Sequence, residues 1–505
     1  MYVNLLFVSM SDLHLGEEDS VLTNLSVGEP VPEPRGPGPC MLALVNYLHA
    51  IKFELNKGKP IPFLILNGDI LELATSTYPV STTYFRLFLT ELAKRNLFDR
   101  IIYLPGNHDH GLWSLIRDTH FVKSLSQQSE SPGQLKVEHV TGLSIPRQSP
   151  LLSLLASNLP MRIVSPPLLV ANPSLRLQSL QGHDFLFHHG HLLEDIYKFL
   201  TLLGRRVIEN ESLKKLKKEP LREKIGVLER ENWPWIDFVW SGFTRAGRVG
   251  PTMEERAERV GDTKKSRAKR VGYTMEDIYE LLSKPNGIKE LVHRAADVLR
   301  TEFDIPIVPK RWEDDVFRYI IKKALEKGGV GSEERADHKK DPYSDDLKRM
   351  THRFMDHYMR QELLDEGLRP ATDQSRFIFG HTHKPFLERG EDFGAGFGKI
   401  HVVNSGGWVI ESDEYLPNHG PGIVFGCNNG DMALVKYELN EERKLNLEPG
   451  SGIDQPKNDD WDNTLEDLAE HKKLKKAISK AVEVRWHYFK KRVQRTEEAL
   501  KNLSG

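Results

Sequence analysis

Five short polar segments of this chain carry side chains that could bind metal ions and do chemistry. Aspartate and asparagine oxygens and histidine nitrogens are ligands that suit divalent metals such as Mn, Fe or Zn. They are Asp12-Leu13-His14, Gly68-Asp69, Gly106-Asn107-His108-Asp109, His188-His189-Gly190-His191 and Gly380-His381-Thr382-His383. No single segment is distinctive, but all five in this order indicate a two-metal phosphoesterase site.

The spacing of these residues indicates how two metals would be shared. Two ions about 3.5–4 Å apart can clamp the attacking and leaving oxygens of a phosphoryl group, and one carboxylate must bridge them. Asp69 is the candidate for that bridge, because it stands alone at the end of a predicted strand. Asp12 and His14 can both project from one loop, and the spacing of His381 and His383 offers one imidazole to each metal.

The segment Gly106-Asn107-His108-Asp109 offers two different functions. Asn107 supplies a neutral carbonyl oxygen as a ligand. The neighbouring His108 is not needed as a ligand, and the unperturbed pKa of histidine lies near neutrality. His108 could therefore protonate the leaving oxygen as a general acid.

Each segment follows a short apolar run that is typical of a buried strand. Helical periodicity over residues 41–57 and 84–98 separates the first three of these runs. The alternation predicts an α/β sheet with the ligands at the carboxyl ends of its strands. The runs cover residues 3–9, 63–66, 101–104, 185–187 and 377–379, and later runs cover 400–403, 423–425 and 432–435.

The character of the chain changes between the fourth and fifth segments, where the sequence becomes highly charged and mostly helical in pattern. This change predicts one catalytic domain, 1–195 plus 371–448, interrupted by a helical insertion at 196–370. We expect the insertion to form a cap that shapes the pocket, because insertions at strand ends are where such folds vary function. Residues 449–505 are predicted to form a linker and a basic helical tail.

The order D-x-H, GD-x-x-E, GNHD, HGH and GHTH resembles the calcineurin-like metallophosphoesterase superfamily over roughly residues 1–195 and 371–440. The resemblance implies a β-sandwich flanked by helices and two divalent metal ions, with Mn expected and Fe or Zn as alternatives. It implies hydrolysis of a phosphoester bond, expected to be a phosphodiester or pyrophosphate, by a metal-bridging hydroxide. A DNA or RNA nuclease of the same superfamily and a catalytically silent scaffold are the alternatives. Glu72 and Asp109 disfavour the protein phosphatase branch, whose motifs resemble GDxxDRG and GNHE.

The same resemblance implies a role for each site residue. Glu72 matches the position that orients the general acid His108, although many members have aspartate there. His189 is preferred over His188 and His191, because the histidine directly before glycine matches the family and neighbouring strand residues point to opposite faces. One metal would be bound by Asp12, His14, Asp69 and His383, and the other by Asp69, Asn107, His189 and His381.

The charge of the whole chain limits its macromolecular partners. A formal net charge of −2 means that contact with nucleic acid or an anionic surface must come from a local patch. Residues 245–270 carry nine Lys/Arg against four acids, and residues 471–495 carry ten against one. The favoured alternative for the tail is a solvated helix with one apolar stripe on the catalytic domain. That stripe comprises Leu474, Ile478, Val482, Trp486, Phe489 and Val493.

Composition also indicates a compartment. Cys40 and Cys427 are the only cysteines, so a disulfide scaffold is not expected and a reducing, cytoplasmic location is favoured. The first residues lack the pattern of a signal peptide, and no apolar run reaches the roughly 18 residues that a transmembrane helix needs. His110 and His183 are expected to face solvent.

Overall fold

A computed structural model of the chain describes residues 4–26, 31–73, 76–127, 139–149, 152, 168–194, 197, 201, 224–237, 341–410, 418–439, 445–446, 465 and 468–503. Its strands are β1 (Leu5–Met10), β2 (Ile61–Asn67), β3 (Phe98–Leu104), β4 (Arg147–Gln148), β5 (Leu168–Val170), β6 (Ser174–Gln178), β7 (Asp184–His188), β8 (Ser375–Phe379), β9 (Phe386–Asp392), β10 (Lys399–Asn404), β11 (Gly422–Cys427), β12 (Met432–Lys436), β13 (Glu438–Leu439) and β14 (Leu445–Asn446).

Helices connect and flank these strands. The longer ones begin with residues suited to a first turn, such as the prolines of α1 and α2. A 3₁₀ turn, His191–Leu193, follows β7, and a π-helical turn, Phe354–Met359, joins α5 to α6. The α-helices are α1 (Pro39–Asn56), α2 (Tyr78–Lys94), α3 (His110–Gln127), α4 (Ile225–Ile236), α5 (Asp345–Arg353), α6 (Arg360–Asp365), α7 (Gly394–Phe397) and α8 (Ala469–Leu503).

The strands form two larger mixed sheets, so the predicted α/β class is confirmed. One sheet has seven strands in the order β12-β11-β1-β2-β3-β5-β4, of which β1, β2, β3 and β5 run parallel. The other has five strands in the order β6-β7-β8-β10-β9, of which β7, β8 and β10 run parallel. β13 and β14 form a separate pair.

The two larger sheets contact each other through apolar side chains. The ring centroid of Phe7 on β1 lies 4.9 Å from that of Phe185 and 5.1 Å from that of Phe187, both on β7. At the carboxyl ends of the strands, Asn67 Nδ2 donates hydrogen bonds to the backbone oxygens of His188 and Ile378. The strand ends of both sheets therefore meet at one edge.

The tail helix α8 packs on the seven-stranded sheet side of the molecule. Leu474, Ile478, Val482 and Trp486 are buried in the same apolar cluster as α1, as the stripe predicted. Burial of each such side chain contributes about 1.5–3 kcal/mol, which is enough to anchor this half of the helix. The side chains of Phe489 and Val493 lie outside the described residues, as does the basic segment 245–270.

The far end of the predicted insertion packs against the five-stranded sheet. Met350 and Met355, together with other apolar side chains of α5, α6 and the turn between them, share a cluster with Phe377 and Phe379 of β8. Apart from 197, 201, 224–237 and 341–370, residues 196–370 lie outside the described residues, so the cap and the domain boundaries stay predictions. Within the described residues, no helix combines the length and apolar character needed to cross a membrane.

Two local predictions differ from the structure. The helix predicted at 84–98 runs from Tyr78 to Lys94, and Phe98 instead begins β3, where it pairs with Ile61. Pro79 fits the first turn of a helix, which allows the earlier start. The many prolines of residues 120–180 predict an irregular segment, but its described part contains the end of α3 and the short strands β4, β5 and β6. These strands have two to five residues, which is too short for a clear alternating pattern.

Candidate metal centre

All seven predicted ligands lie in loops that directly follow strands, and all seven are buried. The loops after β1, β2 and β3 come from one sheet, and those after β7 and β8 come from the other. The meeting of the two sheets at one edge therefore brings together residues that are as far as 371 positions apart in sequence. The buried ligands are Asp12, His14, Asp69, Asn107, His189, His381 and His383.

Among the described residues, three groups of buried side chains have the spacing of metal sites. One comprises His14, Glu72 and His108, and the other two, which we call the first and second groups, consist only of predicted ligands. In the first group, ligand atoms of Asp12, His14 and His383 lie within 4.8 Å of one another. In the second, the same limit holds for Asp69, His189 and His381. The first group contains every member of the first expected ligand set except Asp69. The second group contains every member of the second expected set except the amide Asn107.

Asp69 lies between the two groups. Its Oδ2 atom is 3.1 Å from Nε2 of His189 and 3.9 Å from Nε2 of His14, so one oxygen faces a histidine of each group. Oδ1 of Asn107 lies 3.2 Å from Nε2 of His189, which puts this amide beside the second group. The carboxylate of Asp69 therefore lies where a ligand shared by the two groups would have to lie.

The backbone is strained at five of the ligands. Asp12, His14, Asp69, His381 and His383 have φ angles of 53°, 44°, 50°, 69° and 59°. Left-handed backbone costs a residue with a side chain roughly 1–2 kcal/mol, and such strain persists where the surrounding structure enforces it. These five account for more than half of the nine non-glycine residues with positive φ in the described part of the chain.

Glycines give the ligands the space they need. A Cβ atom at Gly106 would overlap Oδ1 of Asp69 and lie 2.8 Å from Cδ2 of His189. A Cβ at Gly68 would overlap the ring of the same histidine, and one at Gly407 would lie 2.5 Å from Cγ of His383. Glycine is therefore required at these positions because the ligand side chains approach the backbone too closely for a Cβ atom.

Gly106→Ala is expected to weaken Mn²⁺ binding at least about tenfold, the scale of effects seen when groups that orient metal ligands are changed. Gly106 has no positive φ, so the added methyl group acts by displacing Asp69 and His189 rather than by straining the backbone. Isothermal titration with Mn²⁺ measures the loss. Gly36→Ala is the control, because a Cβ there meets nothing within 4 Å. Equal Mn²⁺ affinity in the two variants would contradict the prediction.

The electrostatics of the site favour a bound cation. Burial would raise the pKa of Asp69, but the neighbouring His189 and His108 hold it well below its usual value. Burial would lower the pKa of His189, but the charges of Asp69 and Asp12 raise it to about 9. The centre thus contains ionised, buried carboxylates that stabilise positive charge next to them.

The donor atoms fit divalent metal ions. Burial lowers the pKa of His14, which favours the neutral form that binds metals. Nε2 of His14 is buried and has no hydrogen-bond partner among the described residues, a state that costs free energy unless a ligand satisfies it. Oxygen and imidazole donors without thiolate suit Mn, Fe or Zn. The buried His, Asp and Glu groups can therefore hold metal ions.

Glu72 contacts both a ligand and the predicted acid. Its Oε2 atom lies 2.9 Å from Nδ1 of His108, the contact that the resemblance implied. The same oxygen lies 2.6 Å from Nδ1 of His14, a contact that the sequence did not indicate. One carboxylate therefore fixes the orientation of both rings and directs Nε2 of His14 toward Asp69.

Glu194 is a site residue that sequence reasoning missed. Its Oε1 atom lies 2.6 Å from Nε2 of His381, and the carboxylate is buried. A metal bound to His381 is therefore expected at Nδ1, because carboxylates commonly hold the other nitrogen of a metal-binding histidine. Only the fold brings residues 187 positions apart into this contact.

Glu194→Gln is expected to lower the Mn²⁺ affinity of one of two sites about 10- to 100-fold, the usual effect of removing such a carboxylate. Glutamine keeps the size of the side chain but not the charge that makes His381 a stronger base. Calorimetry and metal content after dialysis measure the effect. The control is Glu391→Gln, which changes a separate histidine pair, Glu391 Oε1 and His352 Nε2 at 2.9 Å. The prediction is wrong if both variants retain Mn²⁺ equally.

Asp109 ties two of the ligand loops together. Its Oδ2 atom accepts hydrogen bonds from the backbone nitrogens of Ile70 and Leu71, and its Oδ1 atom accepts one from Gly106 N at 2.6 Å. Burial and the nearby charge of Asp69 raise the pKa of Asp109 to about 6. The residue positions the loops rather than joining either ligand group.

The last residue of β10 and the residue after it support the remaining ligands. Asn404 Nδ2 donates to the backbone oxygen of Gly380 at 2.7 Å and to Oγ1 of Thr382 at 3.1 Å. Oγ of Ser405 lies 2.6 Å from Oγ of Ser11, which in turn donates to Oδ2 of Asp12. These polar contacts hold the loops of the first group in place.

The other histidines of interest have different surroundings. His188 accepts a hydrogen bond from Gly190 N and packs on Phe354, on the opposite side from His189, as strand alternation predicted. His191 is buried beside His189 but belongs to neither metal-ligand group. His183 is partly buried.

The prediction that His110 faces solvent is wrong. Its side chain is fully buried between the carboxylates of Glu229 and Asp237. These partners lie 119 and 127 residues further along the chain, so the local sequence holds no signal for the contact.

Comparisons with known proteins do not assign the chain to a family. No protein-family model matches it. No curated protein matches it either. What the site can do follows from its own residues.

Proposed function

We propose that this chain is a metal-dependent phosphoesterase of the calcineurin-like metallophosphoesterase superfamily, with the two sheets as its β-sandwich. The observation that carries the proposal is the position of Asp69, whose Oδ2 faces His189 at 3.1 Å and His14 at 3.9 Å between two groups of buried ligands. That arrangement suits two metals sharing one carboxylate. A hydrolase acting on a phosphodiester or pyrophosphate bond is the function that it supports best.

Bound divalent cations would polarise a phosphoryl oxygen, lower the pKa of water and neutralise charge on the transferring group. Asp12, His14, Asp69 and His383 would hold one ion, and Asp69, Asn107, His189 and His381 the other. Mn is the expected metal, with Fe or Zn as alternatives. Glu72 and Glu194 would hold the rings of His14 and His381 in the orientation that binding requires.

His108 would provide the proton for the leaving oxygen. Its backbone nitrogen donates to Oδ1 of Asp69 at 2.8 Å, so the residue is fixed beside the shared ligand. Nδ1 is held by Glu72. Nε2 is then the atom that faces the reacting group and transfers the proton.

A DNA or RNA nuclease of the same superfamily is the second candidate. The exposed side of α8 carries four lysines, while the opposite side is buried. Lysines on one helix face can bind phosphate backbones. They are Lys472, Lys473, Lys476 and Lys480. A catalytically silent scaffold is disfavoured, because every expected ligand position is filled and the ligands lie together.

The test is a substrate screen of the full chain after loading with Mn²⁺. The substrates are phosphomonoesters, phosphodiesters, pyrophosphates, and single-stranded and duplex DNA. Metal content and the Mn²⁺-dependent rise in melting temperature are measured in parallel, because bound metal stabilises the folded state. Hydrolysis of one class with bound Mn²⁺ is expected. Bound Mn²⁺ without hydrolysis of any class would favour the scaffold, and no bound metal would overturn the proposal.

A further inference from the structure

A buried charged cluster joins helix α4 to the start of helix α3. Nε2 of His110 lies 2.7 Å from Oε1 of Glu229, and Nδ1 lies 2.7 Å from Oδ1 of Asp237. His110 and Glu229 are fully buried, and Asp237 is largely buried. Both nitrogens of the ring therefore contact carboxylates of a distant segment, one within α4 and one at the residue that follows it.

This cluster is held by charge as well as by hydrogen bonds. Burial would lower the pKa of His110, but the charge of Glu229 and the bonds to Asp237 and Glu229 raise it to about 10. The ring is thus an imidazolium at neutral pH. Removing one partner from a buried ion pair leaves the other charge uncompensated, which is a large perturbation.

Further contacts fix α4 against the same region. Oγ of Ser114, one turn along α3, donates a hydrogen bond to Oδ2 of Asp237. Asn172 Nδ2, in the loop before β6, donates to Oε1 of Glu229 at 3.3 Å. The guanidinium of Arg117 lies 4.3 Å from the ring centroid of Trp233. The docking thus covers the first two turns of α3.

The start of α3 is also the end of a ligand loop. His110 is the first residue of the helix, two residues after His108 and three after Asn107. Between them, Asp109 is bound to the loop that carries Asp69. The position of His108 therefore depends on a short segment that is held by Asp109 on one side and by α4 on the other.

We propose that α4, through Glu229 and Asp237, positions His108 for proton transfer, with His110 as the residue through which it acts. This inference rests on the proposed function and adds to it a role for a helix from the predicted insertion. His110 is a positioning residue, because it lies in neither ligand group. Loss of the docking should disturb the proton donor while the metals stay bound, since all the proposed ligands except Asn107 are held by other loops.

The test compares two diesters that differ in their need for a proton donor. Full-length wild type, Glu229→Leu and Glu229→Gln are loaded with Mn²⁺ and assayed with diphenyl phosphate and bis(4-nitrophenyl) phosphate. In Glu229→Leu, kcat for diphenyl phosphate is expected to fall roughly 10- to 100-fold, the scale of effects from a misplaced catalytic group. The nitrophenyl diester should change less than about threefold, because its leaving group needs little protonation. Glu229→Gln should restore most of the lost rate, since its amide oxygen still accepts from Nε2.

The controls separate positioning from general instability. Ile478→Ala removes a buried side chain of α8, far in the chain from the ligand loops, and should affect both diesters equally. Equal losses for both diesters in Glu229→Leu, or no loss, would overturn the proposal. If that variant does not fold, Asp237→Ala takes its place, because it removes the other carboxylate that holds His110. The same unequal loss is expected, and equal rates would overturn the proposal.

Hydrogen exchange tests the role of α4 without relying on enzymatic activity. Hydrogen exchange of residues 105–112 is measured in wild type and in the folded variant. Faster exchange confined to this segment is expected if the helix holds it in place. Unchanged exchange would overturn the inference, even if the wild type hydrolyses both diesters. Failure of the wild type to hydrolyse either diester would count against the proposed function alone.

Discussion

Replacing Asp69 with asparagine is expected to lower the Mn²⁺ content sharply and to remove nearly all hydrolysis. The carboxylate is fully buried, and one oxygen faces a histidine of each ligand group. Asparagine keeps the shape but cannot supply the charge that two cations would share, so both sites should weaken together. Metal analysis after dialysis and turnover of a phosphodiester measure the two effects.

Asp184→Asn is the matched control for this variant. Asp184 is another buried carboxylate, paired with Arg176 at 2.7 Å at the start of β7, the opposite end of that strand from His189. It should lose stability but keep Mn²⁺ and turnover. If Asp69→Asn instead loads Mn²⁺ normally and turns over near the wild-type rate, Asp69 is not the bridge.

His108→Asn is expected to keep both metals and to lose roughly 10²–10⁴-fold in rate for esters with poor leaving groups, the usual contribution of general acid catalysis. The loss should shrink for an activated nitrophenyl ester, because that leaving group departs without a proton. His108 belongs to neither proposed ligand set, so metal binding should persist. Rates with a series of leaving groups and the metal content together measure the effect.

His120→Asn is a suitable control, since His120 lies further along α3, which begins directly after the ligand loop. It should leave the rate and its leaving-group dependence unchanged. An equal loss for activated and poor esters in His108→Asn, or a loss of metal, would argue against the acid role.

The sequence predicted those parts of the site that depend on short-range pattern. Strand ends were marked by apolar runs followed by Gly-Asp, Gly-Asn or Gly-His, and parallel strands bring such ends to one edge. That is why Asp69, Asn107 and His381 could be named without knowing the fold. The glycines were part of the same signal, because close approach of the ligand side chains excludes a Cβ at Gly68 and Gly106.

The parts that could not be predicted are long-range polar contacts. Glu194 lies in a sequence with many acidic residues, and nothing local distinguishes it from a solvated glutamate. Its contact with His381 depends on how β7 and β8 lie side by side. His110 was predicted to face solvent for the same reason, since its partners belong to a segment more than a hundred residues away.

The sequence predicted the long strands of the fold, but not its shortest strands or the packing of its helices. Long apolar strands such as β1 and β2 are evident from composition, whereas β4 has only two residues. The helical character of Asp345–Asp365 was predicted, but not its packing on β8, because a charged helix with a narrow apolar face can cover a sheet or lie over a pocket.

The left-handed backbone at five ligand positions means that the residues of the centre lower the stability of the folded protein. Glycine at any of these positions would relieve the backbone strain, because it adopts positive φ without steric conflict. A search for thermally stable variants of the metal-free protein should therefore favour glycine at these positions and erase the centre as it proceeds. Stability and activity would be traded at the same residues, so thermostabilisation of this protein has to be selected in the presence of metal.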